Sequence, residues 1–268
     1  MSFSADWLAL REPYDRRARN PSVLDAVIAW LAHKKAVRIV DLACGTGSTM
    51  RALASKIPVL QHWQLVDNNL SLLARASEIK PTWGVTLGTI PLDIGYDLEA
   101  ALDGPVDLVT TSALLDLVSE TWLERLVTEI AARKIPIYAA LTYDGRAEIR
   151  PPNPRDAAMI EAVNAHQRGD KGFGPALGPA AANTAITRFE SLGYSIVQGS
   201  ADWHFDETDR EIQREVFSGW ASVARETGNL PLADIVTWLT FRRDEIAAGR
   251  SSLRVGHTDF FARPTGSR

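Results

Sequence analysis

The sequence predicts an α/β fold: a seven-stranded, mostly parallel sheet with helices on both faces, an N-terminal helical segment and a helical insertion before the last strand. Three observations predict it. Short β-branched runs recur at intervals that leave room for a helix between them, as parallel strands require for their crossovers. The first run leads into a glycine-bearing turn and then a helical pattern. Several runs end in aspartate, on the side where open α/β sheets bind ligands. With 268 residues, 46% of them hydrophobic, one large core suffices, so 1–268 reads as a single domain.

Asn20 reads as a helix N-cap with Pro21 in the first turn, and Leu24, Val27, Ile28 and Leu31 follow at helical spacing, so residues 1–35 are expected to form an N-terminal helical cap. The strands are read at Val37 to Leu42, Gln64 to Val66 ending at Asp67, Gly84 to Leu92 ending near Asp93, and Val106 to Thr111. Ile135 to Leu141, Tyr194 to Gln198 and Leu253 to Phe261 complete the set. Met50 to Ile57 is helical, Thr121 and Glu124 predict a capping box, and Ala180 to Leu192 is a helix stopped by Gly193. Residues 146–179, rich in proline and glycine, predict a loop-rich insertion. Residues 206–252 predict a helical insertion: Thr208 and Glu211 read as a second capping box, and a further helix starts after Pro231 and ends at Gly249.

Lys plus Arg number 29 against 33 Asp plus Glu, and a net charge of -4 argues against a partner bound through its phosphates, such as nucleic acid. Met1 to Arg19 is broken by Asp6, Arg11, Glu12 and Asp15 and holds no apolar stretch that could act as a signal peptide or cross a membrane. Cys44 is the only cysteine; an intramolecular disulfide and a thiolate zinc cluster are excluded, and a cytoplasmic location is expected. Eight tryptophans suggest an aromatic pocket or lid beside their packing use.

A glycine turn between strand and helix lets a nucleotide-like ligand approach the main chain. Gly45 and Gly47 match the first two glycines of Gly-x-Gly-x-x-Gly, but Met50 occupies the third position, where helix and strand pack closely. That weakens the reading as a nicotinamide-dependent oxidoreductase. The P-loop signature is absent.

Val40-Asp41-Leu42-Ala43-Cys44-Gly45-Thr46-Gly47 resembles the first motif of class I S-adenosylmethionine-dependent methyltransferases of the bacterial small-molecule type, with Ala43 in place of the usual first glycine. The resemblance implies the class I methyltransferase fold, S-adenosylmethionine as cofactor and S-adenosylhomocysteine as product. It implies that Asp41, Ala43, Cys44, Gly45 and Gly47 surround the cofactor, Asp67 accepts from the ribose hydroxyls with Asn68 beside the adenine, and Asp93 accepts from the adenine amine with Ile94 on the ring. Ser112 and Ala113 would line the methionine side, and an N-terminal Tyr14 or Arg19 would hold the methionine carboxylate.

Methyl transfer is an in-line displacement, so the protein's main tasks are alignment and exclusion of water. Where the acceptor is a hydroxyl or carbon acid a base is useful, and Asp116, Asp144 and His204 are the catalytic candidates, with Glu148 and His166 behind them. After the fourth strand stands Thr110-Thr111-Ser112-Ala113-Leu114, not the Asp/Asn-Pro-Pro-aromatic run of enzymes that methylate exocyclic amines. The Pro-Cys nucleophile of ring-carbon cytosine enzymes is missing too. A small-molecule acceptor is therefore expected, with no metal, no nucleic acid and no membrane. The 206–252 insertion reads as a lid or a homodimer contact. A non-catalytic S-adenosylmethionine-binding module is the remaining alternative.

Overall fold

The computed structural model describes residues 4–266; positions 1–3 and 267–268, which the expected cap and domain bounds include, lie outside the described residues. Helices α1 (Ala5–Ala18) and α2 (Pro21–Leu31) come first. Asn20 caps α2 as expected, its side chain accepting from the Val23 N–H. The alternating elements that follow are β1 (Ala36–Leu42), α3 (Ser48–Leu53), β2 (Leu60–Asp67), α4 (Leu70–Ser77), β3 (Val85–Pro91), α5 (Leu98–Ala101), β4 (Leu108–Ser112), α6 (Glu120–Ala132) and β5 (Ile137–Arg150). The chain closes with α7 (Asp156–Gln167), α8 (Ala181–Ser191), β6 (Tyr194–Ser200), β7 (Trp203–Phe205), α9 (Arg210–Thr227), α10 (Leu232–Ala247) and β8 (Ser252–Pro264).

The sheet order is β3-β2-β1-β4-β5-β8-β6. The pairs among β1 to β5 are parallel, and β8 runs antiparallel between β5 and β6. This is the class I methyltransferase architecture, and it puts the tips of β1, β2, β3 and β4 side by side. Residues of β1 alternate between the two faces: Val37 and Ile39 enter one core with α2, α3 and α4, while Val40 and Leu42 enter the other with α5, α6 and α8. Among the described residues no helix is long and apolar enough to cross a membrane.

Several expectations need correction. β5 does not stop near Leu141 but continues to Arg150, because β8 pairs with it as far as Arg150 opposite Ser252; residues 146–150 of the expected loop are therefore strand. Residues 156–167 of that segment are helix, which leaves the loop character to its remaining residues. An eighth strand, β7, pairs with β8; three residues are too short to show a period in sequence. The cap of α6 is Ser119, whose hydroxyl accepts from the Trp122 N–H, not Thr121. Asp209 occupies the cap position of α9, because Thr208 is turned toward Asp206, donating its N–H and its hydroxyl there.

The two insertions share a third apolar cluster with the outer ends of β5 and β8, centred on Trp203, Phe217 and Trp238. Inside it lies Arg242, wholly buried. Asp156 accepts from both the Arg242 guanidinium and the Trp238 indole, and Arg242 Nη1 donates to the Pro151 carbonyl at 2.7 Å. Removing the carboxylate would strand a buried cation. Asp156→Ala is expected to lower unfolding free energy by about 3–5 kcal/mol in urea denaturation; a loss below about 1 kcal/mol would show that the pair does not anchor the insertion.

Candidate functional site

Above the tips of β1 to β4 lies a cavity of about 340 Å³. Its wall includes Ala43, Cys44 and Gly45 after β1, Asp67 and Asn68 at the end of β2, Asp93 and Ile94 after β3, and Ser112 and Ala113 at the end of β4. These nine residues of the expected cofactor set share one cavity. Gly47 stands at the start of α3, behind the turn.

The turn is built by backbone conformation. Ala43, Gly45 and Gly47 all have positive φ, at 51°, 55° and 83°. Alanine pays more than glycine for this region, so the departure at Ala43 keeps the shape and adds strain. The Cys44 N–H donates to the Val66 carbonyl at 2.9 Å and the Gly47 N–H to the Cys44 carbonyl at 2.9 Å. Asp67 ties the turn to the next strand: Oδ2 accepts from the Gly45 N–H at 2.8 Å and Oδ1 from the Asn69 N–H at 2.9 Å. Each oxygen keeps a second lone pair for a ligand. Burial, joined by the charges of Asp41 and Asp67, pushes the Cys44 thiol far up, which makes it inert as a nucleophile.

At the far end, Asp93 Oδ1 accepts from the Gly95 N–H at 2.9 Å, and Asn68 Nδ2 lies 3.4 Å from Oδ2. Ile94 is held by its carbonyl, which accepts from the Trp122 indole at 2.8 Å. Phe173 closes this end, edge-on to Trp122 with centroids 5.3 Å apart.

Asp41 is fully buried behind the wall rather than in it. Thr110 donates to its Oδ1 at 2.7 Å, and Oδ2 has no partner. Burial raises its carboxyl to about 7, against the pull of the Thr110 bond and the Arg19 charge. Arg19 is buried on the same side, its Nη2 3.4 Å from both Thr49 Oγ1 and Ser112 Oγ. Tyr14, by contrast, does not reach the cavity: its hydroxyl donates to Asp209 at 2.8 Å and its ring packs edge-on to Phe205, joining α1 to the start of α9.

The catalytic candidates separate. Asp116, in the short turn after β4, is buried between cavity residues Leu114 and Leu117. Gln167 donates to its Oδ2 at 3.3 Å, and Oδ1 is buried with no partner. Burial raises its carboxyl to about 6, against hydrogen bonds from backbone N–H groups and the charge of Arg11. Asp144 and His204 are not brought to the cavity. Asp144 pairs with Arg146 on the extended part of β5, a part absent from the expected strand, and His204 is exposed on β7. Glu148 pairs with Arg150 at the surface. His166 faces Glu226 and Lys171, and of these Lys171 lines the cavity.

The cavity is covered by the N-terminal cap and not by the 206–252 insertion, which reads in sequence as a lid or a homodimer contact. No residue of 206–252 lines it; α1, through Leu8, Arg11 and Asp15, and the 171–173 loop do. Leu8 lies over Gly45, and Glu12 takes two bonds from Arg51 of α3, at 2.6 and 2.7 Å, which pins α1 to the turn. Arg11 Nε donates to Asp15 at 2.8 Å and Asp15 accepts from the Trp203 indole at 2.9 Å. The i,i+4 spacing of Arg11 and Asp15 was a visible signal of a helical pair, but nothing local marks such a pair as buried.

Residues 39–133 match a family model described as a methyltransferase domain. The cyclopropane synthase MmaA2 from Mycobacterium tuberculosis is 10% identical, with 97% of this chain and 94% of that one covered and a TM-score of 0.52. A cyclopropane-fatty-acyl-phospholipid synthase-like protein from Lactobacillus casei is 13% identical over 97% of this chain and 94% of that one, with a TM-score of 0.55. At such identities these likenesses concern the fold. No curated protein matches the chain. The matched segment, residues 39–133, is a methyltransferase domain, and the solved structures share its fold.

Gly47 tests the turn. A Cβ there would lie 2.7 Å from Ile79 Cδ1 and 3.2 Å from Leu65 Cδ1, on a backbone with φ of 83°. Gly47→Ala is expected to cost on the order of 1–3 kcal/mol of stability through strain and overpacking, read as a lowered midpoint in urea; an unchanged midpoint would refute this geometry.

Proposed function

We propose that the cavity holds S-adenosylmethionine with its adenosine between Asp67 and Asp93 and its methionine end toward Ser112 and Arg19, and that a small-molecule acceptor is methylated beside α1. The observation that carries this is the convergence of the glycine turn, Asp67, Asp93 and Ser112 on one cavity. The buried groups behind it fit the cofactor's zwitterionic end: Asp41 Oδ2 and Arg19 Nε both lack partners, one an acceptor suited to an ammonium group and the other a donor suited to a carboxylate. Asp67 would hold the ribose hydroxyls, and Asn68, Asp93 and Ile94 the adenine.

S-adenosylmethionine supplies, when bound, an electrophilic methyl group on its sulfonium. The chain's residues do the rest. Leu8, Leu114, Leu117 and Phe173 give the cavity apolar wall, which excludes water from the transfer. Asp116 is the base we favour among the three catalytic candidates, because it alone lies beside the cavity with an unpartnered oxygen and a raised proton affinity. Residues 1–268 would act as one catalytic unit with α1 and α2 as its cap. A net charge of -4 fits a small-molecule acceptor better than nucleic acid, and a cytoplasmic setting agrees with a single buried thiol.

Calorimetry with S-adenosylhomocysteine tests the cofactor site. Asp67→Ala is expected to weaken binding by about 1–3 kcal/mol, the range for charge-assisted hydrogen bonds; an unchanged affinity would remove the ribose role. The base is tested by pH. Asp116 must be ionised to take a proton, so transfer to an acceptor found by a labelled-methyl screen should rise with pH through about 6 and then level. Asp116→Asn should abolish that limb; if the limb persists, another group is the base.

A further inference from the structure

Arg19 is only 4% exposed, yet among the described residues no carboxylate comes within the 4.0 Å of an ion pair. A buried cation without a direct counter-ion is costly, so its surroundings must be explained. Its Nη1 donates to the Tyr138 hydroxyl at 3.2 Å, and that hydroxyl donates in turn to Asp259 Oδ2 at 2.9 Å. Asp259 is itself fixed by two backbone donors, the Leu141 N–H at 2.7 Å to Oδ1 and the Asn20 N–H at 3.0 Å to Oδ2. Asp259 therefore reaches Arg19 through a phenol, while Asp15 and Asp41 act on it from further off.

The other side of the guanidinium is weakly engaged. Nη2 reaches two hydroxyls of the cavity wall, Thr49 and Ser112, each at 3.4 Å, beyond the usual N–H···O range, and Nε has no acceptor. An arginine presents its Nε and Nη2 donors as a fork suited to one carboxylate. Had Asp259 met Arg19 directly, it would have been free to take that fork. With Tyr138 between them, Asp259 draws on Nη1 alone.

Building on the proposed cofactor reading, we infer that Tyr138 and Asp259 are positioning residues, a relay that orients Arg19 so that its Nε and Nη2 receive the carboxylate of the cofactor's methionine end. The relay comes from β5 and β8, the antiparallel pair on the far side of β4 from the glycine turn, and through Asn20 it also joins the link between α1 and α2. Neither residue touches the ligand. Each acts through Arg19.

The test compares two ligands that share adenosine and sulfur but differ in the amino-acid end: S-adenosylhomocysteine, and 5′-methylthioadenosine, which has no carboxylate. Dissociation constants are measured by calorimetry, directly or by competition, for the full chain and for Tyr138→Phe, Asp259→Asn and Arg19→Met, with melting temperatures of the ligand-free variants as the check on folding. Each substitution is expected to weaken S-adenosylhomocysteine roughly tenfold or more, the scale of a charge-assisted bond, while 5′-methylthioadenosine stays within about twofold. Equal losses for both ligands, or an unchanged affinity for S-adenosylhomocysteine in Tyr138→Phe, would overturn the relay. Asp259 holds two backbone N–H groups, so should Asp259→Asn not fold, Tyr138→Phe decides, since it removes one hydroxyl and leaves those bonds in place. Failure of the unaltered chain to bind either ligand would be a different result, defeating the cofactor reading itself.

Discussion

The site depends on the Asp67 carboxylate. One oxygen takes the Gly45 N–H and the other the Asn69 N–H, so a single side chain joins the tip of β2 to the turn after β1 and to the start of α4. The three positive-φ residues of that turn are affordable only because strand pairing below and Asp67 beside them over-determine the backbone. With that clasp in place, the neighbouring tips of β3 and β4 bring Asp93 and Ser112 to the same cavity.

Around the cavity the protein tolerates polar groups that an apolar core would exclude. Asp41 Oδ2, Asp116 Oδ1 and Arg19 Nε are buried without partners, and each lies beside or behind the wall. Unsatisfied buried groups of this kind cost folding energy. The large apolar clusters on the two faces of the sheet offset that cost, and the groups stay available where a charged ligand can satisfy them.

The added helices follow a different logic. α7, α9 and α10 form their own cluster with the outer halves of β5 and β8, held by the Asp156, Trp238 and Arg242 bonds. Trp203 links this cluster to the N-terminus by donating to Asp15. The insertion thus supports α1 from behind while α1 and the 171–173 loop cover the cavity.

Local sequence determined the alternating strands and helices, the glycine turn and the aspartates at the ends of β2 and β3, because side-chain period, turn chemistry and strand-end position are properties of a few neighbouring residues. That was enough for the fold and for nine residues of the cavity wall. Tertiary structure decided the rest. The length of β5 was set by β8, more than a hundred residues later in the chain, and that extension is what carries Asp144 and Glu148 as strand residues. Arg19 was already a candidate from its place ahead of β1, but Arg11, Tyr138 and Asp259 became functional candidates only when burial and long-range bonds were known, since an arginine or a tyrosine reads the same in sequence whether it faces water or a second charge.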